Sequence, residues 1–215
     1  MTIVSGFAVL LGCASTGDSL ETALLREDWP LVLQQVKASD QTPQMRTISA
    51  HAYIALNRNN EATCILSLLS PADLARWDTW TEAFVTTNPD TAIAHYLRGD
   101  SIARQGQLQA ALAEFERSLA LDKEHVLTLN AIGVVRSFRG DWDGAFADFA
   151  RAVALRGDFA DAWSSQGLSN LHGRRSVDGA LDAFNSALKI DPDFVVATAG
   201  KAFAEMALGR WDEGN

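Results

Sequence analysis

TAIAHYLRGDSIARQGQLQAALAEF (residues 91–115), LTLNAIGVVRSFRGDWDGAFADFARAVAL (127–155) and ADAWSSQGLSNL (160–171) with GALDAFNSALKIDP (179–192) are three spellings of one pattern. Laid over one another, they place Gly99, Gly133 and Gly167 at intervals of 34. Ala111, Ala145 and Ala180 follow at 34 and 35, and Phe115, Phe149 and Phe184 keep the same step. So do Ser118, Ala152 and Ala187. A fixed period of that length is the mark of stacked repeats.

Residue sizes explain the period. The three glycines sit inside apolar runs of helical spacing, where glycine costs about 1 kcal/mol relative to alanine, so something must offset it. Close approach of a second helix does this: with Ala111, Ala145 or Ala180 at the crossing, little stands between the two backbones. The phenylalanine four or so residues on fills the space one turn along, and its burial contributes roughly 1.5 to 3 kcal/mol. Two isolated helices have no such burial, so neighbouring units must share one continuous core.

At these residues the chain resembles the tetratricopeptide repeat family, a 34-residue helix-turn-helix unit. Trp163, Gly167, Ala180, Phe184 and Pro192 fit its pattern, while Gln166 and Asn170 stand where it has Leu and Tyr. The resemblance implies an all-α fold, an α-solenoid of antiparallel helix pairs, with a concave face that binds other proteins or peptides. The first helix of each pair lines that face. Here it should present Tyr96, Asp100 and Arg104, then Leu127, Asn130, Val134 and Phe138, then Ser164, Leu168, Leu171 and His172, then Phe203. Family members that serve as heat-shock co-chaperones hold a C-terminal carboxylate with lysines and asparagines on successive first helices. In this chain Val134 follows Asn130 one turn later, and Arg104 is the one cation among those positions. A helix or extended segment with apolar anchors is the expected ligand in place of a carboxylate.

Outward from the three units, residues 20–88 read as degenerate helical units. Leu20, Ala23 and Leu24 share a face, and Pro30 suits the first turn of the next helix. Trp29 stands at the same point of the repeat as Trp142 and Trp211. Ala50, Tyr53, Asn57, Ala62 and Leu66 repeat the small, aromatic, turn, small, large series, so residues 43–69 read as a helix pair. Ser70, Pro71 and Asp73 then start an extra helix over about 71–86, with Trp77, Trp80 and Phe84 on one side. That stripe is read as a bridge between two blocks of solenoid, or else as a partner-binding patch. Residues 89–193 hold the three clear units. Residues 194–215 hold an incomplete one: a first helix from Val195, a turn at Gly209 and the opening of a second helix at Trp211. The expectation is that the natural chain continues past Asn215.

Residues 3–13 form an apolar run of eleven, shorter than the roughly 20 residues a membrane-spanning helix needs and of the length of a signal-peptide core. Leu10-Leu11-Gly12-Cys13 resembles the lipobox of bacterial lipoproteins, which implies cleavage before Cys13, its lipidation, and residues 14–19 as a tether. Ala14 after the cysteine fits sorting to an outer membrane. The membrane link would then be a lipid anchor and the location the periplasmic side of the cell envelope. The same run also reads as an apolar first helix with an ordinary cysteine, which would leave the protein in the cytoplasm.

Composition excludes other classes. A net charge of -9 in 215 residues argues against nucleic acid, whose binding depends on Lys and Arg. Arg174-Arg175 is read as a solvated turn. His51, His95, His125 and His172 are scattered, with no HxxxH or HExxH spacing, so no metal site is expected. Cys64, in an apolar helical run, is read as a small core residue. No nucleotide-binding or nucleophile motif occurs, so no catalytic residue and no cofactor are assigned. Two functions stand: an envelope-anchored adaptor, or the recognition arm of a larger enzyme that continues past Asn215. A purely structural repeat without its own partner is a third.

Overall fold

The computed structural model describes residues 19–38, 42–173 and 175–209. Those residues form twelve α-helices: α1 (Leu20–Leu25), α2 (Trp29–Ala38), α3 (Pro43–Ala55), α4 (Asn59–Ser67), α5 (Pro71–Thr87), α6 (Ala92–Arg104), α7 (Leu108–Leu121), α8 (Val126–Phe138), α9 (Trp142–Leu155), α10 (Ala160–His172), α11 (Val177–Ile190) and α12 (Val195–Ala207). There is no strand among them. The lipobox-like residues 10–13, Arg174 and the expected helix opening at Trp211 lie outside the described residues. Among the described residues, no helix is long and apolar enough to cross a membrane.

Local chemistry sets the helix ends. Ser70 and Asp73 form a capping box at the start of α5, and the side chains of Asp141 and Ser176 accept the backbone N–H groups of Gly144 and Gly179 at the starts of α9 and α11. The acid-rich Asp141-Trp142-Asp143 is therefore a helix start. Four of the turns between consecutive helices use one left-handed residue. Gly106 and Gly140 supply it at φ 78°, and Asn57 and Glu27 take the same role at 58° and 53°. Asparagine tolerates that conformation through its short polar side chain.

The pairs α6/α7, α8/α9 and α10/α11 pack with glycine against phenylalanine. A Cβ built on Gly99 would lie 2.5 Å from the Phe115 ring, one on Gly133 2.6 Å from Phe149, and one on Gly167 2.8 Å from Phe184. The three rings are completely buried. Successive first helices α6, α8, α10 and α12 lie side by side, and the second helices stack outside them.

At the amino-terminal end the structure gives α3 two partners. The expected pair was α3 with α4, leaving the helix near 71–86 as the extra one. α3 does pack on α4, and α5, read as the extra helix, packs on both α3 and α6. Its Trp77, Thr81 and Phe84 precede Ala111, Phe115 and Ser118 by 34 residues each and are all fully buried, so α5 is a second helix in register. Its first-helix place is taken by α3, whose buried face runs from Met45 to Ala55. The helix without a regular place is α4, in which only Asn59 and Ala62 are buried. Burial decides the matter, because α3 offers α5 a long apolar face and α4 does not. Cys64 is exposed on α4, not in the core, since α4 packs through one side only. Trp77 and Trp80 stack at 5.1 Å and Trp80 and Phe84 at 4.9 Å, so the aromatic stripe is structural glue between α3 and α6.

Replacing Gly99 by alanine should destabilise the protein by about 1 to 3 kcal/mol in urea unfolding, because the clash with a buried ring exceeds the roughly 1 kcal/mol of helix propensity gained. Phe115→Leu in the same chain should recover part of that loss, giving a double-mutant cycle with strong coupling.

Candidate protein-binding groove

Because α3 is paired with α5, the segment of α1 to α4 lies along the inner face of the repeats and touches the turns that precede their first helices. Glu21 on α1 accepts the Asn88 amide before α6 at 3.3 Å. Glu27, in the α1–α2 turn, meets His125 before α8 at 3.1 Å. Asn57, in the α3–α4 turn, donates to the Asp158 carbonyl at 2.6 Å and accepts the Ala160 N–H at 3.0 Å. Asn60 donates to the Asp193 carbonyl and accepts the Val195 N–H at 3.2 Å. Asn59 adds a 3.3 Å bond to the Asp191 carboxylate. Four successive inter-repeat turns are thus held by one amino-terminal arm.

Midway along the arm lies a buried polar cluster. His51 on α3 reaches Tyr96 Oη with Nδ1 at 3.1 Å and stands 3.2 Å from Asp100 with Nε2. Its ring stacks on Trp77 at 5.7 Å. Asp100 is gripped by both arms of the Arg104 guanidinium at 2.7 and 2.9 Å. Burial pushes the Asp100 carboxyl up, but Arg104 and then His51 outweigh it and hold it well below the usual carboxylate range. Tyr96 is driven well above the usual phenol value by burial and by Asp100. Asp161, at the start of α10, is raised by burial although Asn130 donates to it at 2.5 Å.

The groove positions expected from the sequence fall into three rows about the repeat glycines. The row three residues before each glycine, Tyr96, Asn130 and Ser164, is buried, as is Leu127. The row one residue after, Asp100, Val134 and Leu168, is half-buried. The row five residues after opens outward: Arg104 is half-buried, Phe138 is 77% exposed and His172 is exposed, with Leu171 half-buried beside it. One side of the expected groove is therefore covered and the other is open at Phe138 and His172. Arg104 is bound to Asp100, and His172 stacks on Trp142 at 4.9 Å. Phe203 does not belong to either half. It stands three residues after Gly200, as Ile102 stands after Gly99, so its 61% exposure lies on the face that a second helix covers in the complete repeats.

Sequence reasoning missed Glu27, His51, Asn57, Asn59, Asn60 and Asp161 as groove residues. The one visible signal was Asn57 in a turn position that other units give to glycine.

The fold defines a class: an α-solenoid of helix pairs. The tetratricopeptide repeat pattern matches residues 75–125 and 131–193, together more than half of the chain. The chain belongs to the tetratricopeptide repeat family. No curated protein matches it. Among solved structures, it is similar to MamA from Desulfovibrio magneticus RS-1 (residues 41 to the end) at 18% identity and TM-score 0.56, covering 74% of this chain and 88% of that one. The first repeat domain of Spaghetti (RPAP3) bound to the HSP90 peptide SRMEEVD is similar at 18% identity and TM-score 0.53, over 55% of this chain and 94% of that one. The repeat domain of Sgt2 from Aspergillus fumigatus is similar at 15% identity and TM-score 0.53, over 57% of this chain and 82% of that one.

A depressed carboxylate contributes stability that is present above its unfolded value near 3.9 and is lost as the pH falls through the folded value. Asp100→Asn should therefore lower stability at pH 7 and flatten its fall below about pH 4, as read from urea midpoints across the acid range. Arg104→Ala should cost more at pH 7, about 2 to 4 kcal/mol, because it leaves a charged Asp100 with His51 alone.

Proposed function

We propose that this protein is a non-catalytic adaptor that binds a segment of a partner protein along the open half of its inner face, and that Cys13 anchors it by a lipid at the bacterial cell envelope, facing the periplasm. The observation that carries the adaptor reading is the open row. Phe138, nearly free of contacts at 77% exposure, sits between Arg104 and His172 on three adjacent first helices, beside the partly covered Val134 and Leu171. A large exposed aromatic on a rigid helical surface is what anchors a partner segment.

A carboxylate-terminated peptide of the kind named for Spaghetti (RPAP3) fits poorly. Arg104, the cation of the row, is already neutralised by Asp100, and a net charge of -9 disfavours an acidic ligand. A segment with apolar anchors, neutral or basic overall, suits the surface.

The envelope part rests on Leu10-Leu11-Gly12-Cys13. The intact mass of the protein from its own cells tests it: a polypeptide starting at Cys13 with added lipid is expected, and an unprocessed 23.3 kDa chain would refute the anchor. For the groove, a photo-crosslinking amino acid at position 138 or 172 should yield a discrete adduct with one partner, and the same probe at Arg117 on an outer helix should not. Equal labelling from all three positions would refute it. Phe138→Ala should weaken that partner's binding by about tenfold or more, with unchanged thermal stability.

A further inference from the structure

We propose that α4 is an intrachain stand-in for a partner segment, and that the segment replacing it carries two carboxamide side chains, Asn or Gln, with apolar residues beside them. This rests on the adaptor reading and extends the site from the open half of the groove to the covered half.

The two asparagine contacts are one contact made twice. Asn57 bridges the carbonyl of Asp158 and the N–H of Ala160, and Asn60 bridges the carbonyl of Asp193 and the N–H of Val195. From 158 to 193 and from 160 to 195 the step is 35 residues, one repeat. The backbone before each of these first helices therefore offers an acceptor and a donor side by side. A carboxamide meets both with one planar group. A carboxylate would face the carbonyl with a second acceptor, and an ammonium would leave the N–H unmet. The chemistry of the turn thus selects Asn or Gln.

The rest of α4 fits its seat badly. Two of its nine residues are buried, Cys64 is exposed and Leu68 just beyond is 68% exposed. Beneath it lies a cavity of about 190 Å3, walled by Ile54, Ala62 and Leu66 from the arm and by Leu168, Phe194 and Val196 from the repeats. At this cavity Ser164 Oγ and Asn59 Oδ1 are buried and make no hydrogen bond within the chain. Unfilled volume and unmet polar atoms each cost stability, so a segment that holds the same two turns and fills the cavity competes well. Short, sparsely buried elements of this kind open at low free energy.

The probe is a fluorescent peptide of residues 56–70 with Cys64→Ser, titrated by anisotropy against the full chain. In wild type the resident α4 blocks the site and reduces apparent affinity by the closed fraction. Asn57→Gly with Asn60→Ala keeps the left-handed turn while removing both clamps, and should bind the peptide about tenfold or more tightly than wild type does. The same peptide with alanine for Asn57 and Asn60 should bind neither. Equal binding by the two proteins, or indifference to the peptide's asparagines, overturns the proposal. So does dimerisation of the variant in light scattering, which would assign the opened site to a second copy. Amide hydrogen exchange of unmodified wild type gives a reading free of folding defects: α4 should exchange about 100-fold faster than α3, and equal protection refutes it. Crosslinking from position 138 that survives all these outcomes leaves the adaptor reading standing while this one fails.

Discussion

In each complete repeat a phenylalanine ring lies on a backbone that has no Cβ. Gly99 under Phe115, Gly133 under Phe149 and Gly167 under Phe184 let two helices approach until an added methyl group would overlap the ring. This contact sets the distance within each pair, and the pair presents a flank to the next. Phe184 makes the link between units explicit, since its ring also lies against Gly200 of α12. A solenoid built this way has no central core to lose. Its stability is a sum of such contacts and of the interfaces between neighbours.

The inner face that this stacking creates is not left empty. The arm of α1 to α4 crosses it and meets four inter-repeat turns through polar side chains, while Met45, Ile48 and Ala52 of α3 join the same buried cluster as Trp77, Phe84 and Leu97. The two attachments differ in kind. Burial of α3 against α5 is apolar, whereas α4, beyond its packing on α3, is held to the repeats mainly by asparagines. Polar contacts of that kind contribute about 0.5 to 1.5 kcal/mol each, so the arm is firm at α3 and weak at α4.

Much of the repeat architecture was legible from spacing, because glycine, alanine and phenylalanine must recur where helices cross. The pairing of α5 was not. Trp77, Thr81 and Phe84 stand in register with Ala111, Phe115 and Ser118, yet share no residue type with them, so the period was hidden. Equally, α4 lies where the period places a first helix, although Ala62 and Leu66 give it the look of a second one. What displaces it is the larger apolar face of α3, a comparison between two segments that no local pattern makes. Cys64 was misplaced for the same reason: an apolar run indicates burial only when there is something to bury it against.

The amino-acid sequence by itself determined that this chain is a tetratricopeptide repeat solenoid and which residues lie on its first helices. These follow from residue size at fixed intervals, which is a local quantity. Only the tertiary structure decided which of the inner residues face solvent. That depends on how α1 to α4 return across the repeats, placing Glu27 beside His125, His51 beside Asp100 and Asn57 beside Ala160, about 50 to 100 positions along the chain. Contacts at such separations form where backbone turns offer unpaired donors and acceptors, and their partners are chosen by shape and hydrogen-bond geometry in space.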